Sequence, residues 1–171
     1  MPHLIETARL RMRPFELCDT DEMHRLWTDP AVRKFLWDDI VITRDRAAQV
    51  VRESLALFAE KGFGFWVVSQ KEDDAAIGFC GLREYGKPLE AELLYGFYSA
   101  YWGQGFATEA AAAILHRGFE MNRLQRIWAG ADPPNKASVR VMERIGMRYN
   151  DSRMVGGLEA IYYVIERLHR L

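Results

Sequence analysis

Cysteine, histidine and charge of either sign in excess are what this chain lacks, and each shortage removes a class of function. Its 171 residues include only two cysteines, Cys18 and Cys80, with no CxxC pair and no Cys/His cluster at zinc spacing. That argues against a disulfide scaffold or a structural zinc, and two buried thiols in a reducing compartment are expected. The four histidines, His3, His24, His116 and His169, share no metal-ligand spacing, and none adjoins a serine or cysteine in a nucleophile motif. They read as surface or packing residues, with no metal expected. Lysine and arginine number 23 against 24 aspartates and glutamates. A nucleic-acid module would show a basic face, so that partner is not expected, although a local pocket for one small anion remains open. Long apolar runs are missing too. Glu6, Arg9, Arg11 and Arg13 interrupt the first twenty residues, which hold no export signal, and the uncharged run 93–108 carries Gly96, Gly103 and Gly105. A cytoplasmic protein without a membrane partner is expected.

What is present is enough for one core. Apolar residues make up 49% of the chain and charged ones 27%, as in a single domain spanning 1–171 that buries roughly 70% of its unfolded surface. The hydrophobic period then changes several times. Residues 9–13 alternate as a short strand stopped by Pro14. The stretch Asp19 to Glu22 resembles a capping box opening a helix to about Trp27. A short helix and loop fill 29–42, and Thr43 caps a helix whose stripe is Ala47, Val50, Val51, Leu55 and Phe58. Residues 63–69 and 75–83 predict a hairpin, and 91–99 a third strand. A helix over 105–121, a strand over 126–131, a helix over 135–145 and a hairpin of 147–154 with 159–168 complete a mixed α+β order. Trp27, Trp37, Trp66 and Trp128 are expected in the core or a pocket wall rather than as stacking platforms.

The chemistry-bearing stretch runs from Glu92 to Gly146. A strand leads into Trp102-Gly-Gln-Gly-Phe-Ala-Thr108 and then a helix. Such a turn offers free backbone N–H groups and the positive end of the helix dipole to a phosphate or pyrophosphate. Gly103 and Gly105 let an anion approach the backbone closely; the same glycines also suit a plain tight turn. A P-loop is excluded, because no lysine follows Gly105 before Lys136. A nicotinamide-dinucleotide fold stays open as an alternative, with Asp132 as its ribose acid, although too few βα units follow to build it. Asn135, three residues before Ser138, is a good helix N-cap.

Tyr101-Trp-Gly-Gln-Gly-Phe-Ala-Thr-Glu-Ala110, Asn135-Lys-Ala-Ser138 and Arg144-Ile-Gly-Met147 together resemble the GNAT N-acetyltransferases, and more narrowly their RimJ/RimL-like branch, which acetylates ribosomal-protein N-termini. Thr7 to Pro14 and Glu92-Leu-Leu-Tyr95 join that resemblance, so it spans nearly the whole chain. It implies a three-layer α/β/α sandwich whose mostly antiparallel sheet opens a parallel V between the strands near 91–99 and 126–131. It implies acetyl-CoA as co-substrate, with Phe97, Tyr98, Ser99, Trp102, Gly103, Gln104, Gly105, Phe106, Ala107, Thr108, Asn135 and Ser138 as its binding residues. Trp102 stands where the family usually has glutamine or arginine.

The implied reaction moves an acetyl group to a primary amine, on a protein N-terminus or a small molecule, by direct attack in a ternary complex. Glu92 is the expected base, and Ser138 or water assists the leaving thiolate. Met142 replaces a tyrosine acid common in the family, and Gly130 replaces a glutamate found in some N-terminal acetyltransferases. Trp37, Asp38 and Asp39 are the expected acceptor contacts, in a monomer or homodimer. A binding domain for acyl-CoA with little turnover is the alternative of a different class.

Overall fold

The computed structural model describes residues 3–167, and in it the changes of period become one eight-stranded sheet with helices on both faces. In chain order the strands are β1 (Ile5–Glu6), β2 (Leu10–Pro14), β3 (Phe65–Gln70), β4 (Asp73–Glu84), β5 (Glu90–Phe97), β6 (Arg126–Ala131), β7 (Arg148–Val155) and β8 (Leu158–Glu166). The helices are α1 (Thr20–Thr28), α2 (Pro30–Leu36), α3 (Arg44–Lys61), α4 (Phe106–Glu120) and α5 (Lys136–Arg144). Across the sheet the order is β1-β2-β3-β4-β5-β6-β8-β7, and every neighbouring pair is antiparallel except β5 with β6. A doubly wound dinucleotide fold needs several adjacent parallel strands, so this topology removes that alternative. Among the described residues no helix is long and apolar enough to cross a membrane.

Strand alternation divides the core into two clusters. Leu10, Met12, Trp66, Val68, Cys80 and Leu82 face α4 and α5, where Ala110, Ala111, Ile114 and Met142 meet them. Phe15, Phe65, Val67 and Phe79 face the other way, onto Met23, Leu26, Trp27, Ala47 and Val51 of α1 and α3. The three layers follow, because the central strands are apolar on both faces and each face needs a helical cover. On β5 the same alternation sends Leu93, Tyr95 and Phe97 toward α4 and α5, and Leu94 toward the opposite cluster.

Three local expectations are corrected. Cys80 is buried, but Cys18 is exposed, because it sits in a single 3-10 turn (Leu17–Asp19) at the surface. The Asp19 side chain makes no N-cap bond to α1; its carboxylate accepts from the Glu16 amide at 2.7 Å instead. Strand β1, two residues long, was not legible as a period. Position 168, the expected end of the last strand, lies outside the described residues.

The Asp19 carboxylate, nearly buried, also receives both terminal nitrogens of Arg13 at 2.7 Å each. This clamp ties β2 to the start of α1, and the carboxylate raises the Arg13 pKa mainly through that hydrogen bond. Asp19→Asn is expected to cost about 1–3 kcal/mol, seen as a Tm lower by several degrees in a thermal melt.

Candidate active site

The parallel pairing of β5 with β6 lasts for three register pairs only, Glu90 with Arg126, Ala91 with Ile127 and Glu92 with Trp128. Past Glu92, β5 continues along β4 while β6 continues along β8, and the two part. The opening is a cavity of about 590 Å³ lined by Glu92 to Phe97 on one side and Ala129 to Asp132 on the other. The first turns of α4 and α5, part of α2 and the β7–β8 hairpin from Val155 to Ala160 add to its wall.

At one end lies the glycine-rich turn. Gly103 and Gly105 have φ of +74° and +82°, the left-handed region that side chains resist. A Cβ on Gly103 would meet nothing within 4 Å, so conformation and ligand approach, not crowding, call for glycine there. The amides of Gly103 to Thr108 donate to no backbone or side-chain acceptor among the described residues. They converge on the N-terminus of α4, the arrangement that suits a phosphate. Trp102 donates its indole N–H to the Phe97 carbonyl at 2.7 Å, pinning the turn to the end of β5.

Beneath the turn sits Arg9 of the N-terminal segment. It donates to the Gln104 carbonyl at 2.8 Å, and its Nε donates to Glu109 at 2.7 Å. Its guanidinium also lies over the Phe106 ring, 4.5 Å from the centroid. Glu109 accepts further bonds from the Arg9 amide and the Thr7 hydroxyl. Burial works to raise the Glu109 carboxyl, but these hydrogen bonds outweigh it and hold the pKa below the ordinary range.

On the α5 side, Asn135 caps the helix by accepting the Ser138 amide at 3.2 Å, as its spacing predicts. The Ser138 hydroxyl is 2.8 Å from the Tyr95 hydroxyl. Both residues line the cavity, as do Phe97, Trp102, Gly103, Gly105, Phe106, Ala107, Thr108 and Asn135. Tyr98, Ser99 and Gln104 do not. Tyr98 reaches away to Glu22 at 2.8 Å, Ser99 opens a 3-10 turn, and Gln104 bonds the Ala100 carbonyl.

At the fork of the V, Glu92 is 5% exposed and accepts from the Nε of Arg83, its cross-strand partner, at 2.6 Å. Tyr162 lies beside it, and burial followed by the Glu92 charge pushes that phenol up to about 12. Of the expected acceptor contacts, Asp38 lines the cavity. Trp37 packs edge-on against Trp27, and Asp39 holds Arg33 at 2.9 Å, so neither reaches it. Asp132 faces the same space, and its carboxyl is raised by burial and then by Asp38. Among the described residues no His/Cys/Asp/Glu cluster could hold a metal ion.

With this geometry in place, comparison with known proteins is decisive. Residues 9–148 match the acetyltransferase (GNAT) domain family. The chain belongs to the GNAT acetyltransferases. The GNAT chain is 35% identical to the uncharacterised N-acetyltransferase YnaD of Bacillus subtilis over 144 residues, covering 84% of this chain and 82% of the relative. It is 31% identical over 150 residues to an uncharacterised N-acetyltransferase of Bacillus licheniformis, covering 83% and 80%. A GNAT-family acetyltransferase crystal structure from Bacillus anthracis superposes with a TM-score of 0.81 at 29% identity, over 95% of this chain and 98% of that one. RimL, a ribosomal L7/L12 alpha-N-protein acetyltransferase solved with coenzyme A, shares the fold at 15% identity, a TM-score of 0.80 and 95% and 97% coverage. Acetyl transfer is therefore the activity of this GNAT chain.

Its departures from the family pattern now have physical reasons. Met142 is fully buried in the core, so that side chain cannot serve the cavity. A Cβ on Gly130 would sit 3.1 Å from the Tyr162 ring, so Tyr162 occupies the room a glutamate there would need. Sequence reasoning missed Arg9 and Tyr95 as parts of the site. Both lay inside quoted motifs, Thr7 to Pro14 and Glu92 to Tyr95, but a tyrosine or arginine on a strand carries no periodic signal of its partner.

Because the folded Glu109 carboxyl titrates below its unfolded counterpart, its stabilisation is complete above the ordinary glutamate pKa of about 4.3 and fades as pH falls through the folded value. Glu109→Gln should lower stability by about 1–2 kcal/mol at neutral pH, given the half-exposed Arg9. Denaturant melts should show that deficit narrowing once the pH is taken below about 4.

Proposed function

We propose that this enzyme transfers the acetyl group of acetyl-CoA to a primary amine by direct attack within a ternary complex. One observation carries the reading: the V-shaped cavity joins the two faces of the sheet, with the glycine-rich turn and Ser138 at one side and Glu92 at its fork. The residues suit the co-substrate. Unengaged amides from Gly103 to Thr108 would meet the pyrophosphate, and the unpaired edge of β5 would pair with the amides of the pantetheine arm as an added strand would. Acetyl-CoA supplies an activated thioester carbonyl when bound.

The chain's own groups do the rest. Glu92 would take one proton from the acceptor ammonium, directly or through a water, freeing the lone pair that forms the new nitrogen–carbon bond; the second nitrogen proton would pass to water as the carbon–sulfur bond breaks and the sulfur leaves as thiolate. A backbone N–H on β5 donates to the carbonyl oxygen as negative charge gathers there. Ser138 would donate a hydrogen bond to the sulfur as the carbon–sulfur bond breaks; the leaving thiol's intrinsic pKa, about that of a cysteine at 8.5, makes a strong acid dispensable. Asp38 and Asp132 place negative charge at the acceptor end, which suits a cationic amine. A peptide N-terminus is the first acceptor class to test, consistent with the fold shared with RimL, and a small amine is the second.

Two variants test the reading. Gly105→Val forces a β-branched residue into a left-handed backbone at the phosphate turn, and calorimetry should show coenzyme A binding weakened by at least about tenfold. Unchanged affinity removes the pyrophosphate assignment. Glu92→Gln should lower kcat by about 10²-fold on a responsive amine, with coenzyme A affinity within about twofold. A kcat like that of the wild type would move the base elsewhere.

A further inference from the structure

We propose that Tyr95 is a positioning residue that holds the Ser138 hydroxyl with its proton turned toward the sulfur of the acyl donor. The inference rests on the cofactor reading above, and the pairing itself was not visible in the sequence. Tyr95 projects from β5 toward α5, where its hydroxyl lies 2.8 Å from Ser138 Oγ and 3.2 Å from the Ser138 carbonyl oxygen. The Ser138 amide is committed to Asn135, so the serine is held from its backbone and its side chain at once.

A serine hydroxyl has one proton and two acceptor lone pairs, and a phenol has one proton to give. Between Tyr95 and Ser138 only one can therefore donate to the other. The phenol, which burial keeps protonated, has two acceptors in reach, and Ser138 Oγ at 2.8 Å is nearer than the Ser138 carbonyl at 3.2 Å, so its proton is assigned to Oγ. With the phenol proton directed at Ser138 Oγ, the serine proton is left for the cavity, which both residues line. Without that contact, a serine in the first turn of a helix is free to turn its proton back onto a backbone carbonyl in the preceding turn.

Tyr95 does not act as an acid. A phenol with a raised pKa is a far weaker acid than a thiol, so passing its proton to a thiolate would run uphill. What it contributes is direction, and the leaving sulfur keeps its charge while Ser138 donates to it. The Tyr95 effect should therefore have the size of one oriented hydrogen bond rather than that of a lost general acid.

Binding tests this apart from turnover. Coenzyme A and desulfo-coenzyme A, which differ only at the sulfur, are titrated by calorimetry into wild type, Tyr95→Phe and Ser138→Ala between about pH 7 and 9.5, across the thiol pKa of about 8.5. In the wild type the affinity ratio of coenzyme A to its desulfo form should rise about tenfold as the thiolate forms. In both variants it should stay flat. A rise that survives in Tyr95→Phe, or a flat ratio in the wild type, overturns the proposal. Failure of the wild type to bind either compound overturns the cofactor reading instead.

Kinetics adds a second readout. Tyr95→Phe should lower kcat about fivefold with KM for acetyl-CoA unchanged, and should add nothing in a Ser138→Ala background. Independent, multiplying effects would show that Tyr95 acts by some route other than Ser138. If Tyr95→Phe melts well below the wild type, the ratio is read at a temperature where both are folded: a flat ratio in Tyr95→Phe beside a rising wild type supports the proposal, and a rise like that of the wild type overturns it.

Discussion

Everything at this site depends on one parallel strand pair that fails to continue. Antiparallel neighbours hold β4 to β5 and β6 to β8 along their lengths, but β5 and β6 share only three register pairs before they part. The hydrogen-bonding edges left beyond Glu92 and Trp128 cannot be buried against apolar side chains without cost. An extended amide-bearing ligand would suit them. The same parting makes a slot through the sheet, with the glycine-rich turn and Ser138 on one side and Glu92 at the fork.

That slot also shows how a chain with no net basicity could meet the polyanion proposed for it. Its formal charge is −1, yet the phosphate end of the cavity is built from oriented amides at the N-terminus of α4. Arg9 adds the only cation that the hydrogen bonds show on this turn among the described residues, and it is spent on the Gln104 carbonyl and Glu109. The arginine thus braces the turn, and the amides from Gly103 to Thr108 are left without a protein acceptor among the described residues. The cavity lining is mixed in sign: Asp38, Glu92, Asp132 and Glu159 share it with Arg83, Lys136, Arg140 and Arg144.

Much of the architecture was legible because it rests on local periodicity and punctuation. Thr43 accepts the Arg46 amide and Asn135 the Ser138 amide, as caps read from spacing alone. The glycine turn, the helix after it and the strand at 126–131 were equally local signals. The short strand β1 was not, since two residues have no period and Ile5–Glu6 is a strand only because β2 lies beside it. Trp37 and Asp39 were reasonable choices for an acceptor loop, but Trp27 and Arg33 claim them.

By itself the sequence determined the element order, the caps at Thr43 and Asn135 and a turn fit for phosphate, while the three-layer packing came only as what the family resemblance implies. The order, caps and turn are consequences of side-chain spacing within a few residues. Only the tertiary structure decided which groups share the cavity. It set Tyr162 where a residue larger than glycine at 130 would go, placed Arg83 on Glu92, drew Arg9 beneath a turn 95 residues away and joined Tyr95 to Ser138. Such pairings depend on strand register and on where two strands separate, and neither is written in the local pattern of either partner.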